Sequence, residues 1–280
     1  MSCRCAVLVL VLAWQVSHAG EVGNNGRYVY QAAGCEACHT AKGGEPLAGG
    51  RAFATPFGTF YSPNITPHTK HGIGRWTKQQ FINAVRHGRS PSGSAYFPVF
   101  PYPSYRRMTD ADAADLFDYL MARQPDATPN RAHELSWWVG RWMMRPWQWW
   151  LLDASSSAPA DESPAAARGR YLVDALGHCG ECHSPRSRLG VLDADRHLAG
   201  NNNGPGGESV PNITPHRDDG IGKWSADDLA YFFETGELPD GDYTGGHMAD
   251  VIDHGTSRLT TEDRQAIVTY LRSLPPVPGP

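Results

Sequence analysis

Cys35-Glu36-Ala37-Cys38-His39 recurs as Cys179-Gly180-Glu181-Cys182-His183, and the two pentads sit in a repeat that extends over most of the chain. Gly26-Arg27-Tyr28-Val29 matches Gly169-Arg170-Tyr171-Leu172, and Leu47-Ala48-Gly49-Gly50 matches Leu198-Ala199-Gly200-Asn201. Pro63-Asn64-Ile65-Thr66-Pro67-His68 matches Pro211-Asn212-Ile213-Thr214-Pro215-His216, and Gly72-Ile73-Gly74-Arg75-Trp76 matches Gly220-Ile221-Gly222-Lys223-Trp224. Each copy closes on apolar residues spaced three and four apart, Asp110 to Leu120 and Thr261 to Leu274, which predicts a helix. Two copies of one helical unit account for the order and the spacing.

Within a pentad, residues three apart share one face of a helical turn. Both thiols can therefore add to the two vinyl groups of one haem while the adjacent imidazole reaches the iron. A thioredoxin-type redox pair, a zinc half-site and a disulfide are the competing readings. The redox pair needs a strand-to-helix context that a loop-rich helical chain does not supply, and a four-cysteine zinc site leaves both histidines unexplained. The expected cofactors are thus two covalently bound haem c groups, held by Cys35, Cys38 and His39 and by Cys179, Cys182 and His183.

A second axial ligand must come from elsewhere, and methionine sulfur is the usual one in electron-transfer cytochromes. After Met144 the second half holds only Met248, 65 residues beyond His183. The first half offers Met108 and Met121, 69 and 82 residues beyond His39. Met121 falls within the apolar periodicity of the closing helix and reads as core, so Met108 and Met248 are the expected sulfur ligands. Histidines 68, 87, 178, 197, 216, 247 and 254 leave bis-histidine ligation open; the equivalent pair His68 and His216 reads better as loop-stabilising residues. Trp76 and Trp224 suit either a haem pocket or an ordinary aromatic core. The Asn-Ile-Thr triplets match a glycosylation acceptor, but their place in the repeat favours a structural loop.

The 280 residues, 40% hydrophobic and 19% charged, suffice for two domains, while 30 Gly and 22 Pro call for many turns. A formal net charge of −4 leaves no basic surplus for phosphates, which excludes nucleic-acid binding. Cys3 and Cys5 precede an apolar run from Ala6 to Trp14 that is followed by Ser17-His18-Ala19. That pattern reads as a signal peptide over residues 1–19, cleaved after Ala19, with no cysteine placed for a lipid anchor. Residues 129–167 read as a linker: Ser136 to Trp150 holds six of the nine tryptophans together with Arg141, Arg145 and Pro146, and Ala154 to Ala167 is an Ala-, Ser- and Pro-rich connector. The tryptophan segment suits burial between the halves or docking on a membrane surface or a dehydrogenase; its charges and proline argue against a span.

With these motifs, Tyr105-Arg106-Arg107-Met108-Thr109-Asp110, and Met248-Ala249-Asp250-Val251 with Thr256-Ser257-Arg258-Leu259-Thr260, the chain resembles the multihaem cytochrome c subunits of membrane-bound bacterial alcohol, gluconate and fructose dehydrogenases. The resemblance implies Met108 and Met248 as sixth ligands. It departs in haem number, since those subunits commonly carry three haems and this chain has two pentads. The expected fold is all-α, with two tandem class I-like cytochrome c domains over 20–128 and 168–280 and loop-rich haem pockets. The expected role is a non-enzymatic electron relay from a dehydrogenase catalytic subunit to a quinone, cytochrome or oxidase. Its expected place is the periplasm, at the outer face of the inner membrane, with membrane-surface association through Trp137 to Trp150. The rival class is a dihaem redox enzyme of peroxidase or thiosulfate dehydrogenase type, with one open or exchangeable haem position.

Overall fold

The computed structural model describes residues 25–151 and 161–280. The segment read as a signal peptide, Cys3 and Cys5 within it, and residues 152–160 of the connector lie outside them.

The first half runs from helix α1 (25–32) to the pentad helix α2 (Cys35–His39), a hairpin of β1 (Ala52–Thr55) and β2 (Gly58–Tyr61), then α3 (Lys78–His87), α4 (Tyr102–Tyr105) and α5 (Asp110–Met121). A strand β3 (Glu134–Leu135) and helix α6 (Met144–Leu151) follow. The second half contains α7 (Pro164–Arg170), continued by a wide turn of π-helix over Tyr171–Leu176, then the pentad helix α8 (Gly180–His183), α9 (Ala226–Thr235), α10 (Gly246–His254) and α11 (Thr261–Ser273). The chain is mostly helical, with one addition to the all-α expectation. β1, β2 and β3 form a small antiparallel sheet, pairing Ala52 with Tyr61 and Gly58 with Leu135. Its strands are only two to four residues long, too short for an alternating pattern to stand out. Helix α7 also starts at Pro164, capped by Ser163, inside the stretch read as connector.

The first and last helices of each half cross at a glycine. A Cβ on Gly26 would lie 2.2 Å from the Asp115 carbonyl oxygen, and one on Gly169 would lie 1.9 Å from that of Ala266. The repeated Gly-Arg-Tyr motif is therefore the point where two backbones touch. Hydroxyl and acidic caps begin the helices that follow: Thr109 caps α5, Thr260 caps α11, and Thr77 and Ser225 form full capping boxes on α3 and α9.

The halves are clasped by reciprocal contacts. Tyr28 donates its hydroxyl proton to Asp263 Oδ2 at 2.5 Å and accepts from the Thr260 amide at 3.2 Å. Tyr171 donates to Asp112 Oδ2 and accepts from the Thr109 amide at 3.1 Å. Each tyrosine thus completes the N-terminus of the other half's closing helix, an arrangement with twofold pseudosymmetry. Arg168 grips Asp263 with two nitrogens at 2.8 and 2.6 Å, and the equivalent Asn25 reaches Asp112 and Asp115. One continuous apolar core takes Val29, Leu116 and Leu120 from the first half and Leu172, Leu176 and Leu271 from the second.

Candidate haem centres

Each pentad is held by the same ring of hydrogen bonds. His39 Nδ1 bonds the Pro63 carbonyl at 2.8 Å, and His183 Nδ1 bonds that of Pro211 at 2.7 Å. The hydroxyl of the next residue, Thr40 or Ser184, accepts from the amide of Leu47 (3.1 Å) or Leu198 (2.8 Å). Those leucines are left-handed, with φ of 63° and 60°, a conformation that costs a branched residue roughly 1–2 kcal/mol. Their carbonyls in turn accept from Ile65 and Ile213, both at 2.9 Å, two residues past the prolines that hold the imidazoles. Gly49 and Gly200 donate to the His39 and His183 carbonyls, each at 2.7 Å, and close the ring.

The Asn-Ile-Thr segments behind this ring are structural. Asn64 Oδ1 accepts from the Thr66 amide and hydroxyl, and Asn212 does the same for Thr214. Their Nδ2 atoms donate to the carbonyls of Asp126 (2.9 Å) and Val277 (2.7 Å). All four side chains are buried, which removes the glycosylation reading. His68 and His216 accept backbone amides through Nδ1 and shape the loops. Trp76 and Trp224 lie just before the caps of α3 and α9, partly buried against the core.

Chemically, each pentad presents two half-buried thiols and a neutral imidazole. All four cysteines are free. Burial pushes the Cys35 and Cys179 thiols up to about 12 and Cys182 to about 11, and it raises Cys38 as well. A disulfide oxidoreductase needs the opposite shift, which counts against the redox-pair reading. Among the described residues no group of three His, Cys, Asp or Glu side chains is placed to hold a metal ion. Desolvation lowers the basicity of His39 and His183 against the opposing pull of the proline carbonyls, so both are neutral near pH 7. With Nδ1 committed, Nε2 is the nitrogen left for a metal, and the carbonyl fixes the ring's tautomer and tilt. Such a donor set fits covalent haem c.

Met108 is 1% exposed, in the turn between α4 and α5. Met248 is partly buried, on the first turn of α10. Both border the core that also receives Cys35 and Cys179. At the end of α10, His254 Nδ1 and Thr256 Oγ1 are buried without a protein partner among the described residues, the condition of polar atoms that face a bound group. The pentads also lie close to each other. Helix α10 packs on α2, and Arg51 donates to the Ala37 carbonyl of one pentad helix and to Asp250 (2.8 Å) beside Met248. Ser104 donates to Glu181 of the other pentad at 2.7 Å, and the Tyr105 and His178 rings meet edge to face at 5.3 Å. The repeated motifs contain Pro63, Pro211, Tyr28 and Tyr171, while Thr40 and Ser184 stand just after the pentads, outside those motifs. Their bonds are not legible from the sequence, because each closes a loop, from seven residues between Thr40 and Leu47 to 235 between Tyr28 and Asp263, whose course spacing alone does not fix.

Residues 24–124 match the model of the cytochrome c family. The chain is 43% identical over 260 residues to a diheme cytochrome c-type protein of Cereibacter sphaeroides, covering 91% of this chain and 86% of that one. It is 41% identical to the gluconate 2-dehydrogenase cytochrome c subunit of Pantoea cypripedii (89% of this chain, 58% of the subunit). It is 39% identical to the fructose dehydrogenase cytochrome subunit of Gluconobacter japonicus (90% and 52%). The chain thus spans little more than half the length of these dehydrogenase subunits and most of the dihaem protein. From the paired pentads and this similarity together, the chain belongs to the dihaem c-type cytochromes, electron-transfer proteins with two covalently bound haem c groups.

Proposed function

We propose that Cys35 and Cys38 attach one haem and Cys179 and Cys182 the other, with His39 and Met108 ligating the first iron and His183 and Met248 the second. The observation that carries this assignment is the matched bond from each histidine Nδ1 to a proline carbonyl, 2.8 and 2.7 Å, which aims Nε2 away from the backbone. The two centres belong to two tandem class I-like domains, over residues 20–128 and 168–280. When bound, each haem supplies a one-electron iron couple. The protein's part would be to supply His39, Met108, His183 and Met248 as ligands, to exclude water with the shared core, and to hold the two halves together through the tyrosine clasps. With no open iron position, the chain transfers electrons and does not act on a substrate. Replacing Met108 or Met248 with Leu, one at a time, should each time abolish half of the methionine-to-iron charge-transfer absorption. A variant that keeps the full band refutes that ligand.

The donor is a dehydrogenase catalytic subunit and the acceptor a quinone, cytochrome or oxidase, at the outer face of the inner membrane. Names of the relatives support the donor. The tryptophan segment supports the membrane. Its burial between the halves is not what forms: Trp137 is 96% exposed, and Trp142, Trp149 and Trp150 are 75–80% exposed. The other face of α6 is anchored, with Met144 buried beside Phe60 and Phe97, Gln148 on the Gly88 carbonyl, and Trp147 donating to Leu189 of the second half. Residues 136–151 carry two arginines and no acid in a chain of net charge −4. Among the described residues no helix is long and apolar enough to cross a membrane. A rigid indole platform of this kind suits the bilayer interface. Sedimentation with anionic vesicles should be lost when Trp142, Trp149 and Trp150 are changed to Ser; binding that survives the triple change contradicts membrane docking.

A further inference from the structure

The two halves differ by one residue where the first helix meets the pentad. Tyr28 is seven positions before Cys35, whereas Tyr171 is eight before Cys179. In the first half α1 ends normally, with Ala33 N donating to Val29 O, and Gly34 turns left-handed into Cys35. In the second half the extra residue is absorbed by the π-turn. Gly177 N reaches back five residues to Leu172 O at 2.6 Å, His178 becomes the left-handed residue, and Cys179 N donates to Val173 O at 2.9 Å. Such insertions within a helix recur at functional sites.

The widened turn tucks Asp174 inward next to the pentad. Its carboxylate is 7% exposed and accepts from Tyr270 Oη at 2.8 Å and from His197 Nε2 at 2.9 Å. His197 packs on the pentad helix, where a Cβ on Gly180 would lie 3.2 Å from its ring. At the equivalent positions the first half has Gln31 in place of Asp174 and Glu36 in place of Gly180.

Several other charged groups beside the two pentads are paired. Glu36 lies 3.8 Å from Arg258 and also accepts from Tyr30, Glu181 pairs with Arg186, and Arg51 pairs with Asp250. Arg170, one turn before Asp174, is held by Glu162 at 3.0 Å. Asp174 is thus a buried carboxylate satisfied by a tyrosine and a histidine and without an arginine among its described bonds. Its charge also helps raise the Cys179 thiol.

Oxidised haem iron carries one more positive charge than reduced iron, and a fixed anion in a poorly screened interior favours the oxidised form. We infer that Asp174 makes the second haem the lower-potential one of the pair, so that in the half-reduced protein the single electron rests on the first haem. This depends on the attachment proposed above. The transfer itself is balanced within the chain: ferrous iron in the second half becomes ferric as ferric iron in the first becomes ferrous, and the other charges stay where they are.

The test is a spectroelectrochemical titration of the intact dihaem protein. The wild type should give two one-electron waves. Asp174→Asn should move the lower wave upward and leave the upper one in place, while Asp174→Glu should keep the wild-type pattern. A merely structural role would not spare Glu and single out one wave. Two waves that Asp174→Asn leaves unmoved or moves equally, Glu behaving like Asn, or a wild type with one wave carrying two electrons would overturn the inference; a wild type with a single one-electron wave would instead overturn the two-haem attachment. If Asp174→Asn does not fold, the wild type poised between the waves still decides. The ferric low-spin resonance that persists should be the one altered by Met248→Leu, and persistence of the other resonance contradicts the inference.

Discussion

The two halves use one scaffold and two environments. The scaffold repeats closely: a glycine crossing, a left-handed leucine, a hydroxyl after the pentad histidine, and a proline carbonyl on its Nδ1 within 0.1 Å of the same length. The surroundings diverge. The Tyr119 and Tyr30 rings meet at a tilt of 47° with centroids 5.1 Å apart in the first half, whereas Tyr270, at the same place on the closing helix, donates to Asp174. The first half adds a strand hairpin where the second has a single bridge between Asn201 and Val210. The difference separates what any covalently held haem requires from what makes one centre unlike the other.

The largest effect should come from breaking the shared scaffold. Gly169→Ala places a methyl group 1.9 Å from the Ala266 carbonyl oxygen, so α7 and α11 must move apart. Overpacking costs about 1–3 kcal/mol and, against backbone that cannot rotate away, about the upper end of that range, so thermal unfolding should fall by several degrees. Gly26→Ala, at 2.2 Å from Asp115, should do nearly as much. If either variant unfolds like the wild type, the crossing is not where the helices are fixed.

A smaller loss is expected at the clasps. Tyr28→Phe and Tyr171→Phe each remove a hydrogen bond to a carboxylate and leave a cap amide without its acceptor, a loss of about 1.5–3 kcal/mol each. Because the two contacts are related by pseudosymmetry, denaturant midpoints should drop by similar amounts. A drop confined to one variant would mean that the interface is not symmetric in strength.

The smallest effect is in acid. Burial alone would raise the Asp263 carboxyl, but the Arg168 and Tyr28 hydrogen bonds outweigh it and hold it below its ordinary 3.8. A depressed carboxyl stabilises the fold above its unfolded value and loses that contribution as pH falls through the folded one. Stability should therefore be flat near neutrality and decline below about pH 4, and Asp263→Asn should remove that part of the decline. An unchanged acid limb would place the sensitivity elsewhere.

How much of this was legible in the sequence follows from distance along the chain. The pentads, the repeat and the closing helices rest on local spacing, and Asp110–Met121 and Thr261–Ser273 form within a residue of their expected ends. The sheet was missed because its third strand, two residues long, lies in the stretch read as a linker. The reciprocal clasps were out of reach, since Tyr28 and Asp263 stand 235 residues apart. The extra residue before Cys179 can be counted in the sequence, but its consequence, a π-turn that buries Asp174, depends on how α7 continues into the pentad. Tryptophan exposure likewise depends on which face of α6 Met144 anchors.

If His39, Met108, His183 and Met248 ligate the two irons as proposed, neither iron has a position open to a substrate and the protein passes electrons only. Exposure of the fully reduced dihaem protein to carbon monoxide tests this most directly. The absorption spectrum should stay unchanged at both haems; stoichiometric binding at one would identify an open or exchangeable position and a redox enzyme in place of a relay.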